Sequence, residues 1–179
     1  MKYPFLLLLI VVFAFSAAAQ TKSSAMPTDF AALAMDGSKV DTSALRGKIV
    51  VLNLWFVNCP NCIEEIKLLN KLVDDYKTNK DVVFLAPAAS KKPDLEKFLR
   101  KYPFNYQIIP NGSMIILTKF GTPDKNGDIN IPFPMHYVLD RDGKTVVKVQ
   151  GVKGVEAVRA ELKKQLMVAP TAQTTKTLP

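Results

Sequence analysis

Cysteine is almost absent from this chain of 179 residues: there are two, Cys59 and Cys62. A scaffold stapled by several disulfides is thereby excluded. Histidine is scarcer still, with His136 alone, so cysteine and histidine together fall short of the four ligands of a structural zinc site. No apolar stretch reaches the roughly 20 residues that span a bilayer; the longest runs from Phe5 to Phe15. Long basic runs are missing too. The 24 Lys and Arg exceed the 16 Asp and Glu for a net charge of +8, but they are scattered, with short pairs at Lys91-Lys92 and Arg100-Lys101. That pattern argues against a nucleic-acid partner and reads as solubility with mild attraction to acidic surfaces.

What is present begins with "MKYPFLLLLIVVFAFSAAAQ": one positive residue, a short apolar run and a small-residue stretch ending at Ala19. This is the layout of a cleaved secretory signal peptide over residues 1–19, with an uncleaved N-terminal anchor as the alternative. The expected location is periplasmic or otherwise exported, where thiols are not held reduced by glutathione. Residues 20–28 and 169–179 are polar and proline-bearing and read as flexible ends. Between them, 29–168 has the length and the composition of one folded unit.

Within that unit, "FAALAMDGSKV" reads as a hairpin about Asp36-Gly37. "GKIVVLNLWFV" (47–57) is apolar and β-branched apart from Asn53, as befits a strand buried on both faces. A helix is predicted from Pro60 to Tyr76, with Ile66, Leu69, Val73 and Tyr76 inward. A strand over 81–88 follows, then a helix opened by Pro93-Asp94. "FNYQIIPNG" is predicted as a short extended piece and "SMIILTKFG" as a short helix ending at Gly121. Residues 122–134 read as a loop, "MHYVLDRDGKTVVKVQG" as a hairpin, and 154–167 as the last helix. The fold class is α/β: a central mixed sheet flanked by helices, with an N-terminal hairpin.

The cysteine pair is poorly placed as a staple, since closing a loop of about four residues stabilises by only about 2 kcal/mol in the chain-entropy picture. It is well placed as a reagent. Cys59 falls where a strand ends and a helix begins, close to unpaired backbone N–H groups and the positive helix end, which favour thiolate over thiol. Cys62, one turn on, is expected to be the less exposed of the two. Cys59 then attacks a disulfide and Cys62 resolves the mixed disulfide.

"LRGKIVVLNLWFVNCPNCIEEIKLLNKL" (45–72) resembles the active-site region of the TlpA/ResA-like thioredoxin-fold proteins, exported bacterial thiol-disulfide oxidoreductases. The likeness extends to the Asp-Gly hairpin before the motif and to a proline, Pro134, six residues before the Asp140-Arg141-Asp142-Gly143 turn. It implies a thioredoxin-like fold, a redox-active Cys59–Cys62 disulfide with no other cofactor and no metal, and a cis peptide bond at Phe133-Pro134 beside the pair. It also implies that protein disulfides are the substrates, with Pro134, Phe133, Pro60, Asn61 and Trp55 at the substrate-binding surface. A membrane thiol electron donor is the expected partner, and a monomer the expected state. Departures are informative. Asn58 stands where the family usually has Trp, and Asn53 occupies the place of the buried Asp of classical thioredoxin, where it cannot take up a proton. Glu65, three residues after Cys62, matches a glutamate that some members use to exchange a proton with the second cysteine.

Two other functions are compatible with these residues. One is a copper(I) metallochaperone holding the ion through Cys59, Cys62 and His136, since soft thiolates suit that ion; known exported copper carriers of this fold generally space their cysteines by three residues, not two. The other is a peroxidase, because peroxiredoxins share the fold, but no Pro-x-x-x-Thr-x-x-Cys setting precedes Cys59.

Overall fold

The computed structural model describes residues 26–167; the signal-peptide reading of 1–19 and the C-terminal tail 169–179 lie outside them. The apolar run after Gly47 forms β3 (Ile49–Leu54), all six of whose residues are buried. It is flanked by β4 (Val82–Pro87) in parallel and by β6 (Met135–Leu139) antiparallel, at the centre of a five-stranded mixed sheet ordered β5-β4-β3-β6-β7. Edge strands are β5 (Gln107–Ile109), parallel to β4, and β7 (Thr145–Gln150), antiparallel to β6. A central strand covered on both faces has no wet side, which is why β3 lacks polar alternation. The expected N-terminal hairpin forms as a separate pair, β1 (Ala31–Leu33) and β2 (Lys39–Asp41), about Gly37 at φ 83°.

Side chains of β3 alternate between two cores. Ile49, Val51 and Trp55 join Ile66, Leu69 and Leu72 of α1 (Pro60–Tyr76), Leu95 of α2 (Lys92–Lys101), and Val155, Val158 and Leu162 of α4 (Gly154–Met167). Val50, Leu52 and Leu54 join Phe30, Ala34 and Val40 of the hairpin region, with Ile116 and Phe120. Helices therefore cover one face, and the hairpin with a short helical segment covers the other.

Two expectations need adjustment. On α1 the buried stripe is Cys62, Glu65, Ile66, Leu69 and Leu72; Val73 and Tyr76 lie half-buried at its margin. The short helix before Gly121 is a single α turn, α3 (Ser113–Ile115), that runs into a π turn over Ile116–Phe120. Ile116 and Phe120 both point inward from this wider turn. A Cβ at Gly121 would overlap the Leu117 carbonyl and the Ile129 side chain, so only glycine ends the segment without displacement.

Helices α1 and α4 are tied by Arg159, which donates to Asp75. Hydrogen bonding from Arg159, aided by the charges of Lys71 and Arg159, holds the Asp75 carboxyl below its ordinary value of 3.8. A depressed folded value contributes stability above the unfolded pKa that is lost as pH falls through the folded one. Arg159→Leu is therefore expected to lower stability at neutral pH and to flatten its acid limb below about pH 4, as read from urea midpoints across a pH series.

Candidate active site

The chain leaves β3 through Trp55, whose carbonyl accepts from the Ala89 N–H at 2.8 Å, while the Val57 N–H donates to Ser90 Oγ at 3.1 Å. These bonds anchor the segment 55–58 to the end of β4 and fix where α1 begins. Cys59 is the N-cap of α1 in extended conformation, and Pro60 takes the first helical position, where a missing N–H costs nothing. The Cys62 N–H donates to Cys59 Sγ at 3.2 Å, so the helix start does present a backbone donor to the first sulfur, as its position in the sequence requires. Cys59 and Cys62 are joined as a disulfide, with Cα atoms 5.2 Å apart.

Cys62 is the less exposed of the two, as expected, but by little: in the disulfide form Cys59 is 4% accessible and Cys62 2%. Both belong to the helix-side core, against which Phe56, Val57 and Phe133 also pack. Asn58, Pro60 and Asn61 form the exposed rim. Phe133 is half-buried with its ring edge-on to Phe56 at 5.2 Å, and the Phe133-Pro134 bond is cis, as the resemblance implied. Trp55, expected at the substrate surface, is 0% accessible and packs on Phe98 and Phe104 with centroids 5.3 Å away in each case. It lies below the site because it continues the inward-facing register of β3.

Glu65 is wholly enclosed. It sits one turn beyond Cys62 on the same buried stripe of α1, and such i, i+3 neighbours have Cβ atoms about 5–6 Å apart. Asn53 Nδ2 donates to Glu65 Oε1 at 2.9 Å and lies 3.2 Å from His136 Nδ1. His136 Nε2 is 3.1 Å from Glu65 Oε2. Asn53 and His136 face each other across the β3–β6 ladder, and all three side chains are no more than 1% accessible. Close by, the Tyr106 phenol is buried without a hydrogen-bond partner among the described residues; burial first and the charge of Glu65 second push it far above the usual phenol range.

This cluster is what the sequence left unconnected. His136, a ligand in the copper(I) reading, is instead buried on Glu65 and Asn53. Among the described residues no three His, Cys, Asp or Glu side chains converge as a metal site. The signal available beforehand was that Asn53 and His136 are polar interruptions of otherwise apolar strands; only the register shows that they meet.

A five-stranded sheet ending in a disulfide at a helix N-terminus, with a cis-proline loop alongside, has clear relatives. The sequence profile described as the AhpC/TSA family matches residues 24–148. Thiol-disulfide oxidoreductase ResA of Bacillus thuringiensis subsp. konkukian is 27% identical over 137 residues, 76% of this chain and 74% of the relative. Among solved structures, a thiol:disulfide interchange protein of the thioredoxin family from Chlorobium tepidum has a TM-score of 0.64 at 20% identity, over 80% of this chain and 99% of that one. A secreted Mycobacterium tuberculosis disulfide oxidoreductase has a TM-score of 0.56 at 22% identity, over 73% and 97%. Because the profile spans well over half of its length, the chain belongs to the AhpC/TSA family, and its curated relatives include ResA thiol-disulfide oxidoreductases.

Proposed function

We propose that this thiol-disulfide oxidoreductase reduces protein disulfides outside the cytoplasm, cycling the Cys59-Pro60-Asn61-Cys62 motif between dithiol and disulfide. The observation that carries the reading is the Cys59 sulfur at the N-cap of α1, accepting the Cys62 N–H. In the reduced protein the same donor and the helix dipole stabilise a Cys59 thiolate, the form that attacks. Cys59 captures one sulfur of the substrate and releases the other as a thiolate. Cys62 then gives up its proton, attacks the Cys59 sulfur and expels the remaining substrate thiolate, closing the pair. A membrane thiol donor is the fitting source of the two electrons that reopen it.

An extended substrate segment fits the exposed rim of Asn58, Pro60 and Asn61 beside the half-buried Phe133, whereas Pro134, expected at that surface, is buried. Beside Phe133 lies a largely apolar cleft of about 310 Å³ lined by Ile116, Leu117, Ile129 and Ile131, suited to apolar side chains of an unfolded polypeptide. A small thiol would leave that cleft unused. The copper(I) reading loses its third ligand, since His136 is committed to Glu65 and Asn53. Reduction of insulin by dithiothreitol tests the reading: the protein is expected to accelerate it strongly, and equal rates with and without protein would overturn it.

In this reading Glu65, one turn beyond Cys62 on the buried stripe of α1, accepts the Cys62 proton. Glu65→Gln removes that acceptor while keeping the shape, so resolution is expected to slow by roughly 10²-fold and to depend more steeply on pH, because hydroxide must replace the carboxylate. Rapid-quench trapping of the mixed disulfide across a pH series checks this; a profile identical to the parent's would remove Glu65 from the reaction.

A further inference from the structure

Asn53 offers one amide nitrogen, with two hydrogens, to two neighbours: Glu65 Oε1 at 2.9 Å and His136 Nδ1 at 3.2 Å. An amide N–H can only donate, so Nδ1 must carry a lone pair and the imidazole proton sits on Nε2. From there it donates to Glu65 Oε2 at 3.1 Å. The reversed amide would set its oxygen against a carboxylate oxygen. Each oxygen of Glu65 thus receives one donor, which matches a neutral imidazole and a charged carboxylate, and each keeps a second lone pair for a further proton.

We propose that His136 is a positioning residue for the redox reaction: a neutral Nε2–H donor that, with Asn53, keeps Glu65 an oriented carboxylate able to take the Cys62 proton. This rests on the reading of Glu65 as proton acceptor. In the step concerned, the substrate sulfur R–S is bonded to Cys59. The Cys62 proton passes to Glu65; the Cys62 thiolate forms the Cys59–Cys62 bond, and the R–S bond to Cys59 breaks. R–S⁻ leaves with the electron pair and is protonated by water. Glu65 then loses its proton to solvent, restoring the carboxylate that the disulfide form displays.

Among the described residues, the groups recorded against Glu65 are neutral Asn53 on β3, His136 on β6 and the Tyr106 phenol ahead of β5, which burial keeps protonated, with Cys62 one turn back on its own helix. The start of α4 closes the far side of the imidazole: a Cβ at Gly154 would stand 3.1 Å from His136 Cδ2, and none of the buried residues of α4 is ionisable. With no bulk water and no second charge among these, loss of the His136 donor falls directly on Glu65.

The test mixes reduced protein with 5,5′-dithiobis(2-nitrobenzoate) and follows two successive releases of thionitrobenzoate, the first reporting capture by Cys59 and the second resolution by Cys62. His136→Leu is expected to leave the first release intact, to slow the second about ten-fold and to move its pH dependence to higher pH. His136→Gln, which restores a neutral donor near Nε2, is expected to return the second release to within about threefold of the parent. His136→Asn, which reaches only the Nδ1 side, should behave like the leucine variant and serves where that variant does not fold. Equal slowing by Gln and Asn, or a pH profile unmoved in Leu and Asn, would overturn the proposal. Glu65→Gln is run beside them: if its second release matches the parent, the reading of Glu65 itself falls, whereas if it slows and the His136 variants do not, only the role of His136 falls.

Discussion

Cys59→Ser is expected to bring insulin reduction down to the rate of dithiothreitol alone, whereas Cys62→Ser retains capture and loses release. The asymmetry follows from the helix start. Among the described residues, Cys59 Sγ receives a backbone donor, the Cys62 N–H at 3.2 Å, and Cys62 Sγ receives none; Cys59 also sits at the N-cap. Cys62 lies inside the first turn, one turn from the Glu65 carboxylate, and a nearby negative charge disfavours a second one on its sulfur. Serine at 59 leaves no nucleophile at the helix start. Serine at 62 leaves a mixed disulfide that no neighbouring thiol can break, so substrate stays covalently attached. Non-reducing electrophoresis and mass spectrometry of Cys62→Ser expressed in its host would identify the attached proteins. Equal turnover by Cys59→Ser and the parent, or attachment through position 62 in Cys59→Ser as readily as through 59 in Cys62→Ser, would reverse the assigned roles.

How much of this was legible in the sequence depends on whether a feature is local. The bounds of α1 were readable because Pro60 marks the first turn and apolar residues recur at three and four residue steps. Strand β3 was readable because a continuous β-branched run admits few other fates. The cis bond at Pro134 came from the spacing to Asp140 shared with a known family and from nothing in the composition of "IPFPMHY". The π turn over Ile116–Phe120 was not legible, since it answers a tertiary demand that Ile116 and Phe120 reach the same core as Phe30 and Leu54. The Asn53–Glu65–His136 cluster was hidden for a related reason. Its members lie on three elements, and the pairing of Asn53 with His136 depends on the register of an antiparallel ladder joining residues 83 positions apart. The near enclosure of both cysteines was not legible either, because a helix start is usually wet, whereas here Phe56, Val57 and Phe133 pack against the core that holds them.

Trp55→Ala is expected to cost about 3–5 kcal/mol of stability, a large share of the roughly 5–15 kcal/mol that holds a domain folded. The indole is fully enclosed between Phe98 and Phe104, at the point where β3 passes into the active-site segment and where a bridge to Ala88 fixes the end of β4. Removing it opens a cavity under α2 and frees the backbone that aims Cys59. Trp55→Phe should lose much less, because phenylalanine refills most of the space and removes an indole N–H that is buried without a partner among the described residues. Urea midpoints followed by circular dichroism, which does not depend on the single tryptophan, provide the measurement. The activity data separate this packing role from the substrate contact that the family resemblance suggested. At temperatures where Trp55→Phe remains folded, its KM for an unfolded disulfide substrate should equal the parent's, while variants of Phe133 at the rim should raise it. A raised KM in Trp55→Phe with unchanged stability would instead place the indole in contact with substrate, which its burial in the disulfide form does not allow.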